Sequence, residues 1–115
     1  MTYKVRIIKP AQNEIREIYR YIANDLQNPT AARNRVILID EKIQSLKETP
    51  ARFPLVQDDY LASKGFRLIV AKNYLIFFVI REESKVVSIM RVLYARRDWI
   101  RMLKVEAERQ AEEDY

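Results

Sequence analysis

Seven consecutive apolar residues, YLIFFVI over 74–80, constrain this chain more than any other stretch. A strand with one wet face alternates apolar and polar residues, whereas a strand apolar on both faces needs cover on both. Lys72–Asn73 before the run and REESK after it have turn character. The run therefore predicts a central strand with a neighbour on each side. FRLIVA, opened by Gly65, predicts the strand before it, with Phe66, Leu68 and Val70 on one face. VVSIMRVLY predicts the strand after it. At seven residues the run is far too short to cross a bilayer.

The N-terminal half reads differently. YKVRI over 3–7 alternates Tyr3, Val5 and Ile7 against Lys4 and Arg6, a strand with one buried face. Pro10 suits the first turn of a helix, and Ile15, Ile18, Tyr19, Ile22 and Leu26 recur at helical spacing. Asn28 and Pro29 break the pattern and form an N-cap and first helical position. The second helix turns Val36, Ile39, Ile43 and Leu46 inward and ends near Thr49, because Pro50 disfavours helix in the residue before it. Two helices on so short a link form an antiparallel hairpin. Residues 50–64, with Asp58–Asp59, read as loop, and Asp98 caps a final helix that begins Trp99, Met102, Leu103. Tyr19, Tyr21, Phe77 and Phe78 read as core or helix-packing residues. The predicted fold is α+β, in the order β-α-α-β-β-β-α. The N-terminal strand and helical hairpin pack on one face of an antiparallel sheet. Length predicts a single domain, 1–115, ending in a polar acidic helical tail over about 104–115.

The chemistry available is narrow. The chain has no cysteine and no histidine, which excludes disulfides, thiolate metal sites and imidazole acid–base catalysis. There is no glycine-rich phosphate loop and no metal-ligand cluster, so neither cofactor nor metal is expected. The Asp58–Asp59 pair reads as a solvated loop feature or a weak Mg²⁺ contact. No secretory pattern opens the chain, which gives a cytoplasmic expectation with no membrane partner. Residues 106–115 hold five acids and one arginine, a net −4; against +5 for the whole chain, residues 1–105 carry +9. A basic body suits an anionic partner, nucleic acid or an acidic protein.

In the last strand Val87, Ile89, Arg91 and Leu93 alternate with Ser88, Met90, Val92 and Tyr94. A guanidinium among apolar neighbours is costly to bury unless paired, so Arg91 either lies on the uncovered face or meets a carboxylate. Arg67 has the same status between Phe66 and Leu68, and Lys72 sits in the hairpin turn. With Arg96 and Arg97, these cations either line one concave basic sheet face suited to phosphates or form a solvated charge surface. Cleavage of RNA through its own 2′-hydroxyl needs a base, an acid and cations. The arginines and Tyr94 supply the last two, and no base stands out.

In this order and spacing, EIREIYRYIA, LKETPARFP, GFRLIVAKNYLIFFVI and IMRVLYARRDW resemble the RelE/ParE superfamily of bacterial type II toxins, over roughly residues 3 to 103. The long helical hairpin and the pairing of NYLIFFVI with RVLYARRDW look more like the ParE branch. The resemblance implies a growth-inhibiting toxin of the plasmid-stabilization kind that poisons DNA gyrase without chemistry of its own. It implies neutralisation by a cognate antitoxin whose C-terminal segment wraps the toxin, in a heterotetramer or higher complex. The target-binding residues would be Arg67, Lys72, Arg91, Arg96 and Arg97; Arg96 and Arg97 would contact the target or be masked by acidic antitoxin residues, and Trp99 would pin the last helix. The alternative it implies is a RelE-like ribosome-dependent mRNA endoribonuclease, an mRNA interferase using Arg67, Arg91, Arg96 and Tyr94. Arg96 matches the arginine that follows the last strand in those ribonucleases. Leu75 stands where they open the central strand with an arginine, and WIRML stands where they carry a late tyrosine.

Overall fold

The first strand, β1 (Lys4–Ile7), leads into α1 (Lys9–Arg20) and α2 (Pro29–Gln44). A short α3 (Asp59–Ser63) precedes β2 (Arg67–Ala71), β3 (Tyr74–Arg81) and β4 (Val86–Tyr94), and α4 (Trp99–Glu113) closes the chain. This computed structural model describes residues 2–113, and the end of the acidic segment expected over about 104–115 lies outside the described residues. β2, β3 and β4 form the expected antiparallel meander. β1 joins it parallel to β4, giving the sheet order β1-β4-β3-β2.

Ile76 to Val79 of β3 are all buried. The helical hairpin covers one face of the sheet. α4 crosses the other, where Trp99 meets Phe77 with ring centroids 5.2 Å apart. The helices thus lie on both faces rather than one, which supplies the double cover the apolar run demands.

Strand register decides which side chains share a face, because directly paired residues project the same way and successive ones alternate. Phe77 pairs with Arg91 but Phe78 pairs with Ile89, so Met90 is an extra, bulged residue. Val87, Ile89, Val92 and Tyr94 therefore share the hairpin face with Phe78 and Ile76, while Arg91 and Leu93 lie beside Phe77 and Leu75 on the α4 face. The uninterrupted alternation read from sequence, which grouped Arg91 with Val87 and Ile89, is corrected by that one residue.

Ala11, Ile18 and Ile22 form the buried side of the first helix. Tyr19 and Tyr21, expected as core, are exposed at 44% and 52%. One step along a helix is about 100°, which carries Tyr19 out of the stripe set by Ile18. After Arg20 the helix widens into one π turn, Tyr21–Asp25. Leu26 also ends outside the core, 55% exposed. Asn28 caps α2 as expected, its side chain accepting from the Ala31 N–H at 3.1 Å. Ile39, Ile43 and Leu46 are fully buried.

The stretch 50–64 is not all loop. Pro50–Arg52 forms a 3-10 turn. Asp58 caps α3 by accepting from the Leu61 N–H at 3.0 Å, and it pairs with Lys104 of α4 at 3.6 Å. A helix of five residues is too short to show a period. α4 docks through Leu103, Glu106 and Ala107, so Glu106, expected in a polar tail, is 1% exposed. Its carboxylate accepts from Arg109 at 3.3 Å and Gln110 at 3.1 Å of the same helix. No helix among the described residues is long and apolar enough to cross a membrane.

Candidate partner-binding cleft

β1 stops at Ile7, and the Ile8 N–H makes the last bond along that edge, to the Ile89 carbonyl at 3.1 Å. From there on, among the described residues, no strand lies beside the outer edge of β4. A carboxylate from α1 stands in for one. Glu14 Oε1 accepts from the Val92 N–H at 2.9 Å, and Oε2 accepts from Arg91 Nε and Nη2 at 2.8 and 2.5 Å. The two side chains are only 16% (Arg91) and 13% (Glu14) exposed, so the pair solves the problem of a guanidinium among apolar neighbours.

Arg67 is also engaged inside the chain. Its Nη1 donates to the carbonyls of Phe53 at 2.7 Å and Ala51 at 3.4 Å, tying the 3-10 turn to β2. By register Arg67 shares a face with Phe78, and Arg91 shares the opposite face with Phe77. The structure therefore does not bring Arg67 and Arg91 together on one basic sheet face. Lys72 is exposed in the β2–β3 turn with φ 58°, in the left-handed region. Arg96 and Arg97 are exposed in the turn after β4, where the Arg97 N–H donates to the Tyr94 carbonyl at 3.0 Å. Among the described residues neither has an acidic partner. Trp99 packs on Phe77 and anchors the start of α4.

Of these five cations Arg97 alone lines a cleft of about 780 Å³ between the helical hairpin and the outer edge of β4, where it is joined by Arg35. Ile18, Ile22, Leu26 and Ala31 form its helical wall, and Tyr74, Val92 and Tyr94 its sheet wall. Arg35, Asn73 and Arg97 stand at its rim with Glu17 and Tyr21. Arg35 Nη1 donates to Asn73 Oδ1 at 2.7 Å, and its guanidinium lies 5.7 Å from the centre of the Tyr74 ring. Tyr74 and Tyr94 meet edge to face at 5.8 Å. Burial pushes the Tyr74 phenol above its ordinary pKa; Arg35 pulls it back, while Tyr94 and Tyr21 add to the rise. Two non-glycine residues at positive φ, Gln27 and Lys72, flank the cleft, and the π turn presents Tyr21. Such backbone outliers gather at functional sites.

Sequence reasoning missed Glu14, Arg35, Tyr21, Asn73 and Tyr74. A signal was present for two of them. Glu14 stands four residues before Ile18 in the inward row that continues to Ile22, and Arg35 stands between Ala31 and Ile39 in the inward row of α2. A charge in an apolar row needs a partner on the facing element.

A family model described as ParE toxin of type II toxin-antitoxin system, parDE, matches residues 5–99. No curated protein sequence matches the chain. Among solved structures, the chromosomal ParDE toxin–antitoxin system from P. aeruginosa superposes with a TM-score of 0.68 at 16% identity, covering 83% of this chain and 98% of that one. The toxin–antitoxin complex RelBE2 from Mycobacterium tuberculosis gives 0.61 at 20% identity, covering 82% and 99%. A mutant of E. coli toxin RelE in the free state gives 0.62 at 17% identity, covering 96% and 98%. These likenesses share the mixed fold with its four-stranded, mainly antiparallel sheet.

Proposed function

From the premise that the chain belongs to the ParE toxin family of type II toxin–antitoxin systems, we propose that it inhibits growth by binding and poisoning DNA gyrase, and that a cognate antitoxin neutralises it. The division of the arginines carries the choice of target. A ribonuclease needs cations and an acid converging on one phosphate, within hydrogen-bond reach of the atoms that react. Here Arg67 and Arg91 lie on opposite sheet faces, each engaged by the protein itself. Tyr94, at the end of β4, and Arg96, in the turn after it, are the remaining members of that set, and both are exposed. A poison that acts by binding needs only an accessible surface. The exposed Lys72, Arg96 and Arg97 with the Tyr-rich cleft provide one.

The test is supercoiling of relaxed plasmid by purified gyrase with increasing amounts of this protein. Supercoiling should fall, and cleaved plasmid should accumulate when the reaction is stopped with detergent. Unchanged supercoiling at saturating protein removes the gyrase reading. Primer extension on translated messages would then decide whether RNA is cut.

A further inference from the structure

α1 turns Ala11 and Ile18 to the core, and the opposite side of the same helix carries a row of its own. At about 100° per residue, Lys9, Asn13, Arg16 and Arg20 fall within about 60° of one another, across the helix axis from Ile18. Lys9, Arg16 and Arg20 are exposed. Arg16 Nη1 donates to Asn13 Oδ1 at 3.2 Å, a neutral partner that leaves its charge uncompensated. Among the described residues none of the three cations is paired with a carboxylate. The acids of this helix stand elsewhere: Glu14 is taken by Arg91, and Glu17 lines the cleft. Tyr19, 44% exposed, stands beside the row, between Arg16 and Arg20 in sequence.

Arg16 and Arg20 form an i, i+4 pair of like charge, which by itself disfavours the helix; an anion between them relieves it. We propose that this row binds the phosphate backbone of duplex DNA without reading its sequence. Charge and composition select that occupant. Lys9 to Arg20 spans about 16 Å of helix axis, against about 3.4 Å of rise per phosphate on one strand, so each cation can meet a phosphate of its own. Asn13 and the Tyr19 hydroxyl add neutral donors of the kind that position a protein on phosphate oxygens. A single strand is held by aromatic platforms under successive bases, and this row offers one tyrosine. A protein partner would bury an apolar centre inside a polar rim, and the row holds no aliphatic residue. The proposal stands apart from the gyrase reading: it concerns DNA directly, and it holds or fails whichever enzyme the chain inhibits.

Fluorescence anisotropy of a labelled duplex of about twenty base pairs and arbitrary sequence reads the binding across a series of salt concentrations. Three phosphate contacts give a slope of about −2.7 for the logarithm of affinity against that of salt, a fall of roughly fortyfold between about 50 and 200 mM. Arg16→Gln combined with Arg20→Gln keeps the helix propensity and removes two charges, so the slope should shrink by about 1.8 and the fall to roughly three- to fourfold. Lys64→Gln combined with Arg101→Gln removes the same charge from exposed positions off α1 and should keep the wild-type slope. Circular dichroism checks that all three proteins fold alike. No binding by wild type at up to about 100 μM protein and about 50 mM salt, the weak end of non-specific DNA binding, overturns the proposal. A slope unchanged in the α1 variant overturns it too. So does an equal reduction in the control variant, which would assign the effect to net charge rather than to this row. Tighter binding of an oligothymidylate that is lost in the α1 variant would assign the row to single strands, and tighter binding of polyglutamate lost in that variant would assign it to an acidic protein; either result overturns the duplex.

Discussion

Replacing Glu14 by alanine tests whether the carboxylate at the strand edge holds α1 to the sheet. Three hydrogen bonds disappear, two of them from a guanidinium that stays 16% exposed without its counter-charge. Breaking a buried pair by removing one partner costs about 3–5 kcal/mol. Residual solvent contact and the freedom of the long arginine place this pair at the lower end, about 3 kcal/mol. Arg91→Ala should cost a similar amount, because it leaves Glu14 facing only the Val92 N–H. The double variant strands neither charge, so its loss should be about 4 kcal/mol rather than the sum of the two, a coupling of about 2 kcal/mol. Urea unfolding followed by circular dichroism measures all four proteins, with a constant slope confirming that only stability has changed. The single variants should also melt about 10–15 °C below wild type, given the usual shift per kcal/mol for a domain of this size. Single-variant losses that add to within about 0.5 kcal/mol would show that the two groups do not act as a pair, and the account of the edge would fail.

Two further outcomes follow from local geometry. Glu82 accepts from Lys85 Nζ at 3.0 Å and from the Tyr3 hydroxyl at 2.9 Å, and these bonds hold its carboxyl below the ordinary value of 4.5. Its folded pKa is depressed, so its contribution is present above the ordinary value and is lost as pH falls through the lowered one; unfolding of wild type against Glu82→Gln across acidic pH should show an advantage that fades in that window, and a constant difference would contradict it. Thr49, a β-branched residue, sits in the left-handed region at φ 47°, ψ 58° before Pro50; Thr49→Gly should raise stability by about 0.5–1 kcal/mol in urea, the relief of that conformation less the added freedom of the unfolded chain, and a loss would show that the side chain has a compensating contact.

The fold was legible because its signals are local. YLIFFVI announced a strand covered on both faces, and Asn28–Pro29 opened α2 at the right place; its end comes at Gln44, ahead of the Thr49 that Pro50 implied, because the chain continues as a 3-10 turn over Ser45–Lys47. The candidate site was less legible because it depends on a count. Met90 is one residue more than the ladder uses, and no propensity marks it, so Arg91 was placed on the wrong face. Glu14 and Arg35 interrupt inward rows, a signal visible in sequence, but their partners are 77 and 38 residues away, and local spacing cannot name them. The π turn that presents Tyr21 has no sequence marker, and Tyr19 and Tyr21 fell outside the stripe for reasons of phase alone. An internal partner was one of the two fates open to Arg67 and Arg91; what the sequence could not name was Glu14 as the carboxylate on Arg91, or the carbonyls of Phe53 and Ala51 that hold Arg67.

The buried acid of α4 has a thermal consequence. Glu106 finds its hydrogen bonds on its own helix, from Arg109 and Gln110, so lifting α4 away would carry the charge and its partners off together. What holds this helix to the globule is then chiefly oily contact around Trp99, Leu103 and Ala107, plus a loose link from Lys104 to Asp58. Attachment of that character slackens on cooling and strengthens in sulfate. The C-terminal helix should therefore be the first element to loosen in the cold, while the sheet beneath it stays intact.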